Sequence, residues 1–502
     1  MPSRIDSIVQ QRLDKLERIR QRGIDPYPHR YHRTHTTKEA VALFEKWEGS
    51  GENAPQVSVA GRIMASRPMG KATFIDIRDS CGNIQVYFRS ESLGENYQLL
   101  KEFDIGDILG VSGRIFRTKS GEVTLEASDF SLLSKSLQPL PEKWHGLTDV
   151  EKRYRQRYLD LISNEEVGRI FAVRSRTIAS MRRFLDGRGF VEVETPVLHP
   201  TAGGALAHPF ATHHRALDQD LFLRIATELY LKRLIIGGLD KVYEIGRIFR
   251  NEGISVKHNP EFTMLESYEA YADYNDVMNM VEEMVSYVAQ EVLGTNKVSF
   301  AGDTLDFNPP WRRITLRDAI KKGCGIDFEE CPDADSLREA IRPKVVPEKP
   351  DRPFPDWPDY HKASRGKLID KLISTFVEPK LIQPTFVMDY PIELSPLAKR
   401  KPGSESLVER FEAFVGGMEI GNAFTELNDP IEQRERFREQ ERLRALLGDE
   451  EAERVDEDFL LALEHGMPPT GGLGLGIDRL VMLLTDQQSI REVILFPQLR
   501  LK

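Results

Sequence analysis

The sequence predicts an α+β chain built from a small closed β-barrel near the N-terminus and a larger domain in which strands alternate with long helices. Three observations carry this reading. Between residues 57 and 135, five short runs alternate apolar and polar side chains and are separated by turn residues, the pattern of a small all-β unit. From residue 166 the period changes, and Phe171, Ile178, Met181 and Leu185 fall on one helical face. The chain has 502 residues, too many for a single core at roughly 100–200 residues per domain.

Residues 1–50 are expected to be a helical segment. Ile5, Ile8, Val9, Leu13, Leu16 and Ile19 recur at helical spacing, and Arg4, Arg12, Lys15, Arg18, Arg20 and Arg22 outnumber the acids. That basic face is either solvated or an arm that contacts phosphates. The barrel is expected over 51–138. VSVAGRIMA alternates, FIDIRDSCGNIQVYF folds around Ser80–Asn83, and DILGVSGRIFRTKSGEVTLEA folds around Lys119–Glu122. Five such strands suggest an OB-fold. Parity puts Ile75, Ile77, Ile84, Val86 and Phe88 inward, which leaves Phe74 and Gln85 outward beside Arg78 and Arg89. An exposed ring beside amide and guanidinium donors suits single-stranded nucleic acid. Residues 139–165 read as a linker ending in the basic, aromatic run KRYRQRYLD, and 166–502 as the large domain. Within it, Gly187 and Gly189 stop the first helix and a strand runs from Phe190 to Glu194. A further helix spans 276–293, 332–380 is expected to be a helical insert, and 431–464 a charged helix.

Composition excludes several classes. No run of about 18 apolar residues is present, so no membrane span is expected. The start MPSRIDSIVQ lacks an apolar signal core, which predicts a cytoplasmic protein. Cys81, Cys324 and Cys331 form no CxxC pair, which argues against a disulfide framework or a zinc site. The net charge of −10 does not favour nucleic acid but can hide a local basic face.

Residues 249–268, FRNEGISVKHNPEFTMLESY, hold the strongest chemical signal. If 261–268 is a strand, Phe262, Met264, Glu266 and Tyr268 share a face, and a carboxylate on a buried face needs a partner. The loop before it gathers Arg250, Glu252, Lys257, His258 and Asn259, several of them donors suited to phosphate oxygens. Taken alone, such a loop could equally be a solvated hairpin tip. GGLGLGIDRLVMLL at 471–484 lets a backbone approach a ligand and then opens a helix with Arg479 in its first turn, an anion-favouring arrangement. Its glycine spacing differs from a dinucleotide fingerprint. In RFEAFVGGMEIGNAFTELND at 410–429, a turn at Gly416-Gly417 would place Glu412 and Glu419 on one face, as two carboxylates holding Mg²⁺ against phosphates would be. Asn422, Phe424 and Glu426 share the next strand's face, and simple parity sets that face opposite Glu419 unless the strand bulges near Gly421. In LFLRIATELYLKRLI, Glu228 starts a helix, and dipole stabilisation alone would explain it.

Taken together these segments resemble the class II aminoacyl-tRNA synthetases. FRNE…HNPEFTMLESY resembles their motif 2, GLGLGIDRL motif 3 and GFVEVETPVL motif 1. TAGGALAHPF, ATELYLKR, YEAYADY, YPIELSPLAK and GGMEIGNAFTELND resemble the lysine-specific branch, so the likeness runs from about residue 5 to 497. The resemblance implies an N-terminal OB-fold anticodon domain and a catalytic domain with an antiparallel sheet flanked by helices, assembled as a homodimer through motif 1. It implies ATP-dependent attachment of L-lysine to tRNA(Lys) through a lysyl-adenylate, with Mg²⁺. In that pattern Arg250 clamps the α-phosphate and the substrate carboxylate, with Arg250 and Arg479 catalytic. Glu252 faces the adenine amino group, Phe262 stacks on the adenine, and His258 and Arg479 hold the outer phosphates with Asn259 nearby. Glu412 and Glu419 hold the metal. Gly204, Glu228, Glu266, Tyr268, Asn422, Phe424 and Glu426 form the lysine pocket, and Arg67, Phe74 and Gln85 contact the anticodon.

The residue chemistry agrees, because an ε-ammonium on a long stem needs carboxylates at the charge and aromatic rings along the stem. An aspartate- or asparagine-specific sibling would need a cationic pocket instead. A protein-lysylating paralogue would lack the barrel, and a non-catalytic relative would have lost the clamps. One departure stands before Glu228, where Ala226-Thr227 occupies the place of an expected Ala-Pro.

Overall fold

The computed structural model describes residues 4–49, 54–141, 147–201, 203–205, 207–345, 361–447 and 455–500. The chain divides into two compact units, Met1–Thr148 and Asp149–Lys502.

In the first unit, helices α1 (Arg4–Gln21) and α2 (Thr37–Trp47) precede strands β1 (Gln56–Met69), β2 (Ala72–Arg78) and β3 (Asn83–Arg89). A short helix α3 (Ser90–Leu93) follows, then β4 (Ile108–Arg117) and β5 (Val123–Ser134). The strands close a barrel in the order β1-β2-β3-β5-β4. Its interior is the alternating set read from the sequence, including Val59, Ile77, Val86, Phe88 and Val111, all fully buried. Thr36 and Glu39 form a reciprocal cap that fixes the start of α2, whose Ala40 and Phe44 enter the same core. Basic side chains of α1 are partly consumed inside this unit. Arg12 is buried and donates to the carbonyls of Ile105, Ser136 and Gln138, while Lys15 and Arg18 pair with Asp104 and Glu102.

The second unit begins earlier than the expected linker ends. Residues 150–163 form two short helices, α4 (Val150–Arg155) and α5 (Arg157–Ser163). Fully buried Arg157 pairs with Asp160 and donates to the carbonyl of Leu495, which explains why a basic run packs rather than floats. Helix α6 (Glu165–Asp186) leads to β6 (Val191–Glu192), far shorter than the strand expected over Phe190–Glu194, because it pairs with only two residues of its neighbour. Strands β7 (Leu198–His199), β8 (Ala211–His214) and β9 (Gln219–Leu223) make a small side sheet. Next come α7 (Glu228–Ile236), the hairpin β10 (Lys241–Phe249) and β11 (Glu261–Ala270), and α8 (Tyr274–Leu293). A two-stranded ribbon, β12 (Lys297–Phe300) and β13 (Asp303–Asp306), precedes β14 (Arg312–Thr315) and α9 (Leu316–Cys324).

Of the expected insert at 332–380, residues 346–360 lie outside the described residues. The remainder includes α10 (Ala334–Val345) and α11 (Arg365–Leu372), packed through Leu337, Ile341, Leu368 and Leu372 onto Leu316 and Ile320. Strands β15 (Thr385–Pro391), β16 (Leu407–Val415) and β17 (Met418–Thr425) follow. The charged helix expected over 431–464 is two helices, α12 (Pro430–Leu447) and α13 (Glu457–Glu464), with 448–454 outside the described residues. The chain closes with β18 (Thr470–Gly476), α14 (Ile477–Leu484) and α15 (Ile490–Val493).

An eight-stranded sheet in the order β14-β15-β16-β17-β18-β11-β10-β6 organises this unit. Its six central strands are antiparallel and the two edges are parallel. One face is apolar: Leu265, Leu473, Leu475, Ala423, Phe411 and Ala413 pack against Met181, Met278, Val281 and Leu480 from α6, α8 and α14. Strand alternation therefore turns Glu266, Gly472, Gly474, Asn422, Phe424, Arg410 and Glu412 to the other face.

Candidate active site

That other face lines a cavity of about 450 Å³. Gly204, Glu228, Arg250, Glu252, His258, Asn259, Phe262, Glu266, Tyr268, Glu412, Glu419, Asn422, Phe424, Glu426 and Arg479 all border it. Residues from five separate stretches of sequence are thus brought to one place by strand pairing. Arg67, Phe74 and Gln85 belong to the barrel instead.

One end is cationic. Half-buried Arg250 leaves β10 and lies 5.3 Å from the centre of the Phe262 ring, its Nε donating to the carbonyl of Ile225 at 3.3 Å. Arg479 enters from the first turn of α14. Its Nη1 donates to the Glu419 carbonyl at 2.7 Å and to the Glu419 carboxylate at 3.1 Å, and its Nη2 lies 3.3 Å from His258 Nε2. The neighbouring Asp478 fixes that turn by accepting from the Thr263 N–H at 2.7 Å and pairing with Arg174. Desolvation within the cleft and the Arg479 cation hold the His258 imidazole below its ordinary value, so the ring is neutral at pH 7. Two members of the loop are less available than their types suggested. Lys257 is tied to Glu378 and to the Gly417 carbonyl. Asn259 borders the cavity, yet its amide donates to the Glu261 carbonyl and accepts from the Gln498 N–H.

The other end is acidic and aromatic. Glu228, Glu266 and Glu426 are all buried, as is Tyr268. Burial pushes the Glu266 carboxyl up to about 7, opposed by the Thr227 N–H, which donates to Oε1 at 2.9 Å. Tyr268 donates to Glu266 Oε2 at 3.3 Å. The departure at Thr227 therefore has a structural consequence, since proline has no N–H to offer there. Two glycines make room. Gly204 has φ +86°, and a Cβ there would crowd Ala226 and Glu228. A Cβ on Gly472 would lie 1.9 Å from Glu426 Oε1 and 2.6 Å from the Tyr268 ring. Sequence reading missed Lys232, which is fully buried and ion-paired to Glu228 and Glu426. Its only visible signal is the helical spacing from Glu228.

Between the two ends lie Glu412 and Glu419. Register runs Ala413 opposite Gly421 and then Phe414 opposite Glu419, leaving Ile420 without a partner. This bulge resolves the parity conflict: it lets Glu419 and Asn422 border one cavity. Glu412 accepts from Tyr390 at 2.8 Å and from Arg410 at 2.7 Å, and Arg410 also donates to Asn422 at 2.9 Å. Burial pushes the Glu412 carboxyl up to about 7, relieved by Arg410 and reinforced by Glu419. Tyr390 and Arg410 were not anticipated. Two acids without a third protein ligand suit a hard cation that completes its shell with phosphate oxygens and water. Among the described residues no cluster of three or more His, Cys, Asp or Glu forms a self-contained metal site.

On the barrel, Arg67 is opposite Phe74, and Phe74 opposite Tyr87. Phe74 is half-buried rather than exposed, stacked on Tyr87 with centroids 4.7 Å apart. Arg67 pairs with Asp76 at 2.7 Å. Gln85, expected outward, is buried, because β5 pairs alongside it and its amide is used by Glu122 and Thr124.

Comparison with known proteins is consistent along the chain. The family model of class II tRNA synthetases (D, K and N) matches residues 149–500, and that of the OB-fold nucleic acid binding domain matches 57–133. A lysine–tRNA ligase of Dehalococcoides mccartyi is 59% identical over 98% of this chain and 97% of its own. Lysine–tRNA ligases of Moorella thermoacetica and Clostridium novyi are 55% and 54% identical, over 98% and 99% of this chain and 97% and 95% of theirs. No helix among the described residues is long and apolar enough to cross a membrane.

Proposed function

The chain belongs to the class II tRNA synthetases, in their lysine–tRNA ligase family, and from that premise we propose that it joins L-lysine to tRNA(Lys) at the expense of ATP. The observation that carries this reading is one cavity with Glu228, Glu266, Glu426 and Tyr268 at one end and Arg250, His258 and Arg479 at the other. A cationic amino acid and a polyphosphate have complementary places in it.

In the first step the lysine carboxylate attacks the α-phosphorus of ATP, forming lysyl-adenylate and releasing diphosphate. In the second, the 3′-terminal ribose hydroxyl of the tRNA attacks the acyl carbon and AMP leaves. Neither step needs a protein nucleophile. Arg250 holds the α-phosphate and the substrate carboxylate together, so that attack becomes a matter of positioning. Arg479 and His258 receive the outer phosphates, Phe262 stacks on the adenine, and Glu252 accepts from its amino group. Asn259, with both ends of its amide engaged, shapes the loop. Glu412 and Glu419 would hold Mg²⁺, which supplies charge neutralisation for the phosphates. Glu228 and Glu426 meet the two ammonium groups of lysine, with Glu266, Tyr268, Asn422 and Phe424 completing the pocket and Gly204 clearing its wall. Neutral amino acids would leave buried carboxylates unpaired and be rejected.

The same reading gives the barrel the anticodon, with Phe74 and Arg67 as contacts and Gln85 supporting them. It includes a homodimer through residues 189–198, where Val191, Val197 and Leu198 expose apolar surface, and a cytoplasmic location, where tRNA is charged for translation. ATP–diphosphate exchange with each amino acid in turn, with and without Mg²⁺, together with tRNA charging, tests it. Lysine-dependent, Mg²⁺-dependent exchange with charging supports the proposal; exchange with another amino acid, or with none, refutes it.

A further inference from the structure

Lys232 stands one turn after Glu228 on α7, and no part of its side chain reaches solvent. Its Nζ is ion-paired to Glu228 and to Glu426, and lies 5.4 Å and 5.8 Å from the centres of the Phe424 and Phe459 rings. Although burial disfavours its charge, the two carboxylates hold the ammonium above its ordinary value. The ionisable groups facing this pair are Glu228 on the same helix, Glu266 and Tyr268 on β11, and Glu426 just past β17. Burial pushes the Glu426 carboxyl well up, and Lys232 is the strongest influence pulling it back, against Glu228 and Glu266. Oε2 of Glu426 faces the Lys232 ammonium, while Oε1 has no donor among the described residues. Glu426 therefore borders the cavity with one acceptor to spare.

The charges can be counted. With lysine in place and Glu228, Glu266 and Glu426 all ionised, three carboxylates and one internal ammonium leave a net of two negative charges, matching the α- and ε-ammonium groups of lysine, whose own carboxylate goes to Arg250. Without Lys232, Glu426 loses the cation that opposes its burial and its acidic neighbours, so Glu426 would take up a proton, and a neutral carboxyl is a poor partner for the ammonium it must meet. Resting on the reading of this pocket as a lysine site, we propose that Lys232 is a positioning residue for specificity: an internal cation, paired with Glu228 and Glu426, that favours the ionised form of Glu426 and leaves the lysine-bound pocket short of two positive charges. A strut that merely joined α7 to β17 would hold the fold without setting how binding depends on proton concentration.

Lysine-dependent ATP–diphosphate exchange from pH 6 to 9 separates the two roles. Lys232→Met should raise KM for lysine about tenfold for every pH unit by which the affected carboxyl's pKa exceeds the assay pH, a penalty that shrinks as pH increases. KM for ATP should not move, and Lys232→Arg should restore the parent's pH profile. Folded Lys232→Met with the parent's lysine KM and profile would overturn the proposal. If Lys232→Met alone does not fold, Lys232→Met/Glu228→Gln removes one charge of each sign. Its lysine KM should be uniformly weaker but follow the parent's profile, and a profile still displaced to higher pH would overturn the proposal. A parent that shows no lysine-dependent exchange removes the lysine reading itself, before any variant is compared.

Discussion

Glu266→Gln should stabilise the substrate-free protein above neutral pH while abolishing its response to lysine. The Glu266 carboxyl is buried and rises from 4.5 to about 7. The folded protein therefore binds this proton more tightly than the unfolded chain does. Below pH 4.5 both states are protonated and the group costs nothing. As pH climbs from 4.5 through 7 the unfolded chain ionises first. Folding stability then falls by about 1.36 kcal/mol for each pH unit climbed between those two values, or about 3 kcal/mol in all by pH 8. Glutamine keeps the polar contacts. Its Oε1 still accepts from the Thr227 N–H, and its Nε2 can donate to the Tyr268 oxygen, reversing the bond seen in the parent. At about 2.1 cal/mol/K per residue, that gain raises the melting point of the unit spanning 149–502 by roughly 4 °C. Thermal unfolding of parent and variant at matched pH from 5 to 8.5 measures the difference directly. Glu412, also pushed to about 7, titrates in both proteins and cancels. Lysine should raise the melting point of the parent and leave the variant unmoved. A parent–variant difference that stays flat from pH 5 to 8.5 would refute the argument.

Four further outcomes are expected. Gly472→Ala places a Cβ against Glu426 and Tyr268, so it should cost about 1–3 kcal/mol of stability and raise KM for lysine without touching KM for ATP, both read by exchange kinetics. Glu412→Gln should require about 10–100-fold more Mg²⁺ for half-maximal exchange, by analogy with losses at metal-supporting residues; a parent and variant with the same Mg²⁺ dependence would remove Glu412 from the metal site. Phe74→Ala should lower kcat/KM for tRNA roughly 5- to 150-fold, the value of one stacked base, and leave amino-acid activation intact. Thr227→Pro removes the N–H donor to Glu266, so the acid limb of kcat/KM for lysine should move up by about one pH unit.

The barrel was legible because its strands alternate cleanly, and the same alternation placed Phe74 on one face with Arg78, whereas its place opposite Arg67 came from strand pairing. Gln85 was misread because parity names the face of a residue and not what covers it, and β5 covers Gln85. In the large unit, the pocket side of β11 was readable since a carboxylate between Phe262 and Tyr268 violates the pattern of a buried face. What parity could not supply was the bulge at Ile420, a single unpaired residue whose only trace in the sequence is a neighbouring glycine. Residues 139–165 read as a linker ending in the basic, aromatic run KRYRQRYLD, yet Arg157 in that run spends its charge on buried carbonyls and Asp160. Lys232 escaped notice for a related reason: a lysine four residues after a glutamate on a helix normally marks a solvated pair, and only the third element, Glu426, makes it a buried one.

The glycine run at 471–476 shows how the sheet lets these acids meet. β18 lies between β11 and β17, with Gly472 opposite both Tyr268 and Phe424, and Gly474 opposite both Glu266 and Asn422. Strands on either side of a third are separated by roughly 10 Å at about 4.8 Å per step. Any side chain on the middle strand would stand between them. With only hydrogen there, the two flanking strands become walls of a trough floored by backbone, wide enough for an alkyl stem and narrow enough for carboxylates on both walls to reach its charged ends. The glycines therefore act through what they omit, which a phosphate-binding fingerprint does not describe. The crowding of Glu228, Glu266 and Glu426 that raises their cost in the empty protein follows from the same omission, and a dication lying in that trough is the ligand that relieves it.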